Sequence, residues 1–301
     1  MRRLLTTALF FSISIGSSQA ADEWKAEKIS ATSFPIEIVV DSRQRSPGGL
    51  PDGRVAVRQA VGDIKSAWYS GPTRRYGHGI LGDSIEAGVL NVVGQGGRTY
   101  SVTLPEDQVF EDLTPRLVDL DRDGTVEVIT LRSSINDGGS VAIFGLRNDQ
   151  LVEKATTPFI GRSYRWLNIA GIANFFGRSS KEIAFVETPH IGGTLFLYRY
   201  DGQRMTKVAQ LYGFSNHAIG SIEQRLSAVA DVDGDGVPDL AVPSNNRGAL
   251  RLLTFASGSA EEITQIHLPA SIDKAIAVEG EGRNLGFIVG LRDGSVFKIT
   301  R

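Results

Sequence analysis

The chain contains no cysteine, so neither a disulfide framework nor thiol catalysis is possible. Histidine, methionine and tryptophan are also scarce, with 4, 2 and 3 residues among 301. Neither sign of charge dominates, because 32 lysine and arginine residues stand against 34 aspartate and glutamate residues, for a formal net charge of −2. This balance does not favour nucleic acid or an anionic membrane surface as a partner.

Long apolar runs are absent except near the N-terminus. Residues 1–20 combine a basic start at Arg2 and Arg3, an apolar stretch from Leu4 to Ile15, and small residues, Ser18 and Ala20, before the expected cleavage point. This pattern predicts a cleaved secretory signal and a periplasmic or secreted protein. The alternative is a membrane anchor, but a bilayer span needs roughly 20 apolar residues. No membrane span is expected after signal cleavage.

Helical periodicity is hard to find after residue 30, whereas short alternating apolar runs recur. One phrase, a glycine followed by an apolar alternation, returns at intervals of 46 to 55 residues. It begins at Gly88, Gly139, Gly193, Gly248 and Gly294. Each interval has room for about four strands with their turns, which is the size of one β-propeller blade.

The sequence therefore predicts an all-β protein, a β-propeller with five blades, or six if residues 34–61 hold more than one strand of a further blade. After a linker at 21–33, residues 34–301 are expected to form one domain. Its predicted repeat units are 62–104, 115–157, 165–211, 224–267 and 272–301. The last unit lacks an outer strand, so we expect a strand at 34–40 to pair with it and close the ring, since native sheets avoid bare edges. The alternative is two unrelated β-domains, or a sandwich with evenly spaced hairpins.

Two segments, 119–127 and 231–239, share the form D-x-D-x-D-G-x-x-[DE] and lie two repeat lengths apart. Carboxylates at alternate positions of a tight loop can converge on one hard cation, and the glycine at position six permits the turn. The seventh residue, Thr125 or Val237, can offer its carbonyl oxygen. The cation indicated is calcium, and the alternative is an acidic surface turn without metal. An EF-hand is excluded, because its position-twelve glutamate is replaced by Thr130 or Val242.

These loops, each flanked by strand-type residues, resemble the FG-GAP or VCBS-type repeats of calcium-stabilised β-propellers, such as the integrin α-subunit head and many exported bacterial proteins. The resemblance covers the two motifs residue by residue and the other repeats only by pattern. It implies two calcium ions in loops between the first and second strands of a blade. The implied ligands are Asp119, Asp121, Asp123 and Glu127 for one ion, and Asp231, Asp233, Asp235 and Asp239 for the other. The equivalent stretches elsewhere lack the acidic set, and the middle one retains only Glu182.

In a propeller, the loops between second and third strands share a face with those that join blades, opposite the calcium loops. This face is where we expect a ligand. Its candidates are His190, His217, Asn136, Asn245, Asn246 and Arg247. The histidines could bind a transition metal or transfer protons, or be ordinary solvated loop residues. The amides and Arg247 could hydrogen-bond a glycan or peptide, or serve only the turns.

No sequence motif of a serine hydrolase, a zinc peptidase or a phosphate-binding loop is present. The sequence therefore favours a non-enzymatic binding or scaffolding module with structural calcium and a protein or glycan ligand. The alternative is a propeller hydrolase or lyase that acts on a polysaccharide or phosphate ester. That reading needs acidic residues to meet at the channel mouth. Its candidates are Asp83, Glu86, Asp137 and Glu187.

Overall fold

The computed structural model describes residues 23–35 and 43–301, and within these ranges the protein is built from β-strands. Two short 3-10 helices, Ala31–Ser33 and Gly282–Asn284, are the helical elements of the described residues. The all-β prediction is confirmed. The predicted secretory signal lies outside the described residues.

Two consecutive four-stranded antiparallel units share one nine-stranded sheet. The strands of the first unit are β2 (Ala56–Val57), β3 (Ile64–Thr73), β4 (Glu86–Gly94) and β5 (Thr99–Thr103). The second unit has β7 (Arg116–Val118), β8 (Glu127–Ser134), β9 (Gly138–Arg147) and β10 (Gln150–Thr156). The short strand β6 (Gln108–Phe110) pairs with both β4 and β8 and so joins the two units.

Two further units are separate four-stranded antiparallel sheets in simple sequential order. One contains β11 (Leu167–Ala173), β12 (Glu182–Glu187), β13 (Thr194–Tyr200) and β14 (Met205–Tyr212). The other contains β15 (Ala228–Ala230), β16 (Asp239–Pro243), β17 (Ala249–Thr254) and β18 (Glu261–His267). The first strands of neighbouring units lie against one another, as β11 does against β15, so the units stand side by side.

The last sheet combines the two ends of the described chain. Its strands are β19 (Ala277–Glu279), β20 (Gly286–Gly290), β21 (Val296–Thr300) and β1 (Lys25–Ile29). Strand β1 pairs antiparallel with β21 as the outer strand, from Lys25 opposite Thr300 to Ile29 opposite Val296. The N-terminal segment thus covers an edge that would otherwise be unpaired.

The outer strand of this sheet comes from an earlier segment than the sequence reading placed there. It lies in the stretch predicted as a linker, whereas Phe34 and Pro35 belong to no strand, and residues 36–40 lie outside the described residues. The sequence of strand β1 is mostly polar, because an outer strand buries few side chains, and it therefore lacks the apolar pattern that predicts a strand. Its anchor is the preceding Trp24, which is 9% exposed and packs on Phe287 with ring centroids 5.9 Å apart. Phe34 packs with Ile29 against the core of the same sheet.

Apolar side chains fill the spaces between units. One cluster joins the first and second units around Tyr69, Phe110 and Phe144, and another joins the sheets of β11–β14 and β15–β18 around Phe175 and Phe255. The apolar alternation after each repeat glycine supplies the third strand of each unit, which is why it recurs in the sequence. This packing leaves the loops at the two ends of the strands to form separate surfaces.

Candidate metal centres and ligand face

Both acidic loops connect the first and second strands of a unit, β7 to β8 and β15 to β16. They adopt the same sharp turn, with positive φ at Gly124 in the first loop and at Gly236 in the second. Position four also has positive φ in both, although it is Arg122 in one and Gly234 in the other. The left-handed conformation is strained for arginine. The two loops therefore share a backbone shape that the glycine spacing only partly predicts.

Each loop brings three of its carboxylates together. One oxygen each from Asp119, Asp121 and Glu127 lies within 4.8 Å of the other two. Asp231, Asp233 and Asp239 form an equivalent group in the second loop. Calcium binds oxygen ligands at 2.3–2.6 Å, so two ligands on opposite sides of one ion are about 4.6–5.2 Å apart. The spacing of both groups therefore suits one calcium ion.

The third aspartate of each motif lies outside these groups. The Asp123 carboxylate accepts hydrogen bonds from Thr125 N and Oγ1, both at 2.7 Å. The Asp235 carboxylate accepts from Val237 N at 2.7 Å. Both side chains therefore support the turn, as aspartates in loops commonly do. The carbonyl oxygens of Thr125 and Val237 stay predicted ligands.

The acid at position nine has a structural task that the sequence pattern did not reveal. Glu127 and Asp239 are fully buried, as is Glu182 in the unit without the motif. Each accepts a hydrogen bond from the backbone N–H seven residues earlier, at 2.9, 2.8 and 3.1 Å respectively. The retained Glu182 in an otherwise unmatched loop is the signal that could have shown this task. The position-nine acid therefore fastens the loop to the second strand with or without metal.

The three position-nine acids differ in charge compensation. Glu127 pairs with Lys154 Nζ at 2.7 Å, and Glu182 pairs with Arg199 Nη2 at 2.6 Å. Lys154 reaches Glu127 across Gly145, where a Cβ would lie only 2.6 Å from Lys154 Cδ. Asp239 has no ion-pair partner among the described residues. Burial raises its pKa to about 6, although the nearby Thr254 side chain and the Val232 N–H oppose that shift.

Both groups contain a buried oxygen without a hydrogen-bond partner among the described residues, Asp119 Oδ1 and Asp239 Oδ1. Such an atom normally costs free energy unless something satisfies it. An orphaned carboxylate oxygen inside a cluster of three carboxylates is a feature that a bound cation would explain. The donor set is made only of oxygen atoms, which suits calcium or magnesium better than a transition metal.

Loops at the other end of the strands form a second surface, here called the ligand face. It contains the loops between the second and third strands of the units and the loops that join one unit to the next, namely β3–β4, β8–β9, β10–β11, β12–β13, β14–β15, β16–β17, β18–β19 and β20–β21. They touch one another, since Gly220 N donates to Ile80 O at 3.0 Å. Four exposed apolar side chains lie in the loops of this end. They are Tyr164, Ile191, Ile219 and Ile222, each 49% to 72% exposed.

The predicted histidines meet on the ligand face. His190 Nε2 lies 3.0 Å from His217 Nδ1, and His217 Nε2 lies 2.8 Å from the carbonyl oxygen of Ser221. Because a carbonyl only accepts, His217 carries its proton on Nε2, so His190 Nε2–H must donate to His217 Nδ1. Burial lowers the pKa of His217 to about 3 and, with the Arg247 charge, that of His190 to about 4. The solvated-loop interpretation is wrong for His217, which is fully buried beneath Trp166.

The other predicted ligand-face residues divide into two sets. Arg247 donates from Nη1 to the carbonyl oxygen of His217 at 3.0 Å and lines a cavity of about 450 Å³ that also has Asn245 and His190 in its wall. Asn246 uses its Oδ1 within its own turn, where it accepts from Gly248 N at 2.9 Å. Asn136 is exposed in the β8–β9 turn and is not part of that cavity wall.

The four acidic residues predicted for the hydrolase or lyase alternative lie in different places. Glu86 begins β4 and faces Glu111, because Ala87 pairs with Phe110 and the next opposing positions are these two glutamates. Burial and the negative charges of Glu111 and Asp83 raise the pKa of Glu86 to about 9. Asp137 accepts from Ser134 Oγ within its own turn, and Glu187 ends β12 in a different unit. The four predicted acids therefore do not form one group.

Glu111 lies opposite Glu86, and the sequence analysis did not predict it as a site residue. It is fully buried, its Oε1 lies 2.6 Å from His78 Nδ1, and its Oε2 accepts from Ser133 Oγ at 2.5 Å. Burial raises the pKa of Glu111, and the His78 contact lowers it in part. The signal in the sequence is the pair Glu111-Asp112 directly after an apolar strand. Asp112 has its own partners, Tyr69 Oη at 2.8 Å and Arg116.

No protein-family model and no curated protein sequence matches this chain. Its fold is similar to solved structures. One is BBS1N in complex with ARL6DN, soaked with mercury, at 11% identity and a TM-score of 0.47, covering 84% of this chain and 66% of that one. Another is the exotype rhamnogalacturonan lyase YesX, at 14% identity and a TM-score of 0.46, covering 82% and 56%. The chain thus spans less than two thirds of the length of either structure.

Among the described residues, no helix is long and apolar enough to cross a membrane.

Proposed function

We propose that this chain is an exported, calcium-stabilised β-propeller of the FG-GAP or VCBS type that acts as a non-enzymatic binding module. The observation that carries the proposal is the pair of equivalent loops. Each gathers three carboxylates within 4.8 Å, and each has a buried oxygen that no hydrogen bond satisfies. Calcium there is structural, because it ties the corner between two strands at the end away from the ligand face.

The propeller itself is part of the proposal. Five four-stranded units stand in sequence, neighbouring units pack through apolar clusters, and β1 completes the last sheet. A closed ring of these units would leave only short outer edges, which is how propellers manage unpaired strands. The signal-like pattern of residues 1–20 supports export to the periplasm or the cell exterior.

The ligand face supports the binding role. Its exposed isoleucines and Tyr164 lie among polar groups such as Arg247, whose Nη1 donates to the backbone carbonyl oxygen of His217. Exposed apolar groups rimmed by polar ones are typical of interaction sites. The expected ligand is a protein or a glycan, and nucleic acid is not expected, given the near-neutral charge.

A hydrolase or lyase is the second candidate, and the Glu86–Glu111 pair beside His78 is the observation that favours it. Two neighbouring carboxyl groups, one acting as the acid and the other as the base or nucleophile, are usual in such enzymes. However, Glu111 is fully buried and Glu86 is 3% exposed, so a polymer chain cannot reach both carboxyl groups in this conformation. The binding module is therefore the better supported function.

A measurement of calcium binding tests the proposal directly. Isothermal titration of the chelator-treated chain is expected to show two calcium ions per chain, and about one in Asp121→Ala or Asp233→Ala, because each substitution removes one oxygen ligand from one group. The double variant is expected to bind none.

The matched control is Asp107→Ala, which removes an equal charge at an exposed position outside both loops. An unchanged stoichiometry of two in both single loop variants, or no binding at millimolar calcium in the parent, would contradict the proposal.

A further inference from the structure

The cavity beside Arg247 on the ligand face has an unusual distribution of charge. The cavity has a volume of about 450 Å³. Its wall contains two cations, Arg247 and Arg292, and one anion, Asp273, together with His190, Asn245 and Ile219. His190 is neutral above about pH 5, because burial and the nearby Arg247 lower its pKa to about 4. Two guanidinium groups against one carboxylate leave this wall with a net charge of +1.

Arg247 is held rigidly by the protein. Its backbone has a φ of 57°, a conformation that costs an arginine free energy. Its Nε donates to the carbonyl oxygen of Ile272 at 3.0 Å, and its Nη1 donates to Ser215 Oγ at 3.3 Å and to the His217 carbonyl. Its Nη2 has no partner among the described residues. The guanidinium is therefore pre-oriented, with one of its nitrogens left for another acceptor.

Arg292 supplies a second cation without a partner. Its guanidinium makes no ion pair or hydrogen bond with the described residues. Burial lowers the pKa of Arg247, and the nearby charge of Arg292 adds to that effect. Two like charges that share a cavity repel each other, and a bound anion would remove that repulsion. Arginine is also the side chain whose geometry best matches an oxyanion.

Asp273 limits the charge and adds an acceptor. Its Oδ1 is buried and makes an ion pair with Lys274 Nζ at 3.6 Å, but it accepts no hydrogen bond from the described residues. A negative carboxylate in the wall disfavours a doubly charged phosphate and leaves room for one negative charge. The Asp273 side chain is 21% exposed, so its carboxylate and the lone pair on His190 Nδ1 can accept hydrogen bonds from hydroxyl groups.

We infer that this cavity binds a small ligand, or the end of a larger one, that carries one carboxylate together with hydroxyl groups. The carboxylate lies between the guanidinium groups of Arg247 and Arg292, and hydroxyl groups donate to Asp273 and His190. The inference rests on the proposed function, because it names the ligand class of the ligand face.

Titration with D-glucuronate tests this chemistry, with D-glucose as the neutral analogue and D-glucose 6-phosphate as the dianion. For a ligand of this size we expect a Kd of about 1 mM or lower for glucuronate, and binding at least about tenfold weaker for the other two sugars. The Kd of glucuronate should rise with salt concentration, because the attraction is partly between charges.

Arg292→Gln is the clean variant, since the side chain is exposed and supports no described contact, and it is expected to weaken glucuronate binding about tenfold or more. Arg162→Gln is the matched control, an exposed arginine outside the cavity wall, and should leave the Kd unchanged. Tighter binding of the phosphate than of glucuronate, equal loss in both variants, or no glucuronate binding at 20 mM would overturn the inference.

The calcium titration separates this inference from the function on which it rests. If the chain binds two calcium ions but no glucuronate, the inferred ligand class is wrong and the proposed function stands. If the chain binds glucuronate through Arg292 but binds no calcium, the calcium proposal is wrong and the inferred binding site stands.

Discussion

Chelation of calcium is expected to lower the free energy of unfolding of this chain by about 5 kcal/mol. A site that is occupied at one hundred times its Kd contributes about 2.7 kcal/mol, and two such sites are proposed. For a chain of this size the loss corresponds to a fall in Tm of about 8 °C. Without the ion, three carboxylates remain within 4.8 Å of one another in each loop and repel.

The two loops should contribute unequally. In the first loop, Lys154 already lies 2.7 Å from Glu127 and neutralises part of the negative charge. In the second loop, Asp239 has no cation partner among the described residues. We therefore expect Asp233→Ala to remove more of the calcium-dependent rise in Tm than Asp121→Ala does. Thermal unfolding of both variants, with calcium and with chelator, measures the difference.

Asp107→Ala serves again as the control of equal charge, and its calcium-dependent rise in Tm should match that of the parent. A parent Tm that is the same with calcium and with chelator would refute the structural role of the ion. Equal losses in the two loop variants would refute the unequal contribution and leave that role intact.

Glu86→Gln is expected to stabilise the chain by about 1–3 kcal/mol at pH 7, which is the opposite of the usual effect of a core substitution. Glu86 is 3% exposed and faces Glu111, and its carboxyl group makes no hydrogen bond with the described residues. Burial and the negative neighbours raise its pKa to about 9. At pH 7 the folded chain keeps a proton on Glu86 that the unfolded chain releases, and this release favours unfolding. Glutamine has nearly the same shape and cannot ionise, so the substitution removes that driving force.

The sign of this effect with pH follows from linkage. Between the ordinary glutamate pKa of about 4.3 and the folded value near 9, the folded state binds more protons than the unfolded state. The contribution of Glu86 to stability therefore falls as pH rises through that window and is constant below it. The gain from Glu86→Gln should be near zero at pH 4 and should grow up to about pH 9.

Chemical denaturation of parent and variant at several pH values between 4 and 9 measures this gain. Glu281→Gln, at an exposed position, is the matched control and should show no gain that depends on pH. A stability difference that is constant over the whole range would show that Glu86 has the same pKa in the folded and the unfolded chain. A loss at pH 7 would show that the carboxylate has a stabilising partner.

Much of the first candidate site could be predicted because its residues are close in sequence. The nine residues from Asp119 to Glu127 contain the proposed ligands, the glycine and the turn, so the alternating acids indicate a converging group, although not that Asp123 lies outside it. The roles within the loop were harder to predict. Asp123 turns to the backbone of Thr125, and Glu127 fastens Leu120, because each carboxylate also competes for the unpaired N–H groups of a tight loop.

The ligand face was predicted only as a set of loops. Nothing in the spacing of His190 and His217 indicates that their rings lie 3.0 Å apart, or that Arg247 holds the His217 carbonyl. The buried cluster around Glu111 depends on strand β6, a short segment that bridges two units, whereas the corresponding segments at Phe214 and Ile272 form only isolated bridges, with Ser244 and Leu291. Its polar residues were invisible to a search for repeats.

The amino-acid sequence by itself determined the strand-rich class, the repeat spacing and the two acidic loops, because each depends on residues within about ten positions of one another. Only the tertiary structure decided that β1 pairs with β21, that Glu86 faces Glu111, and that Arg247 and Arg292 share a cavity. These contacts join residues far apart in the chain. Their partners are selected by strand register and by the packing of one unit on the next, which no local pattern encodes.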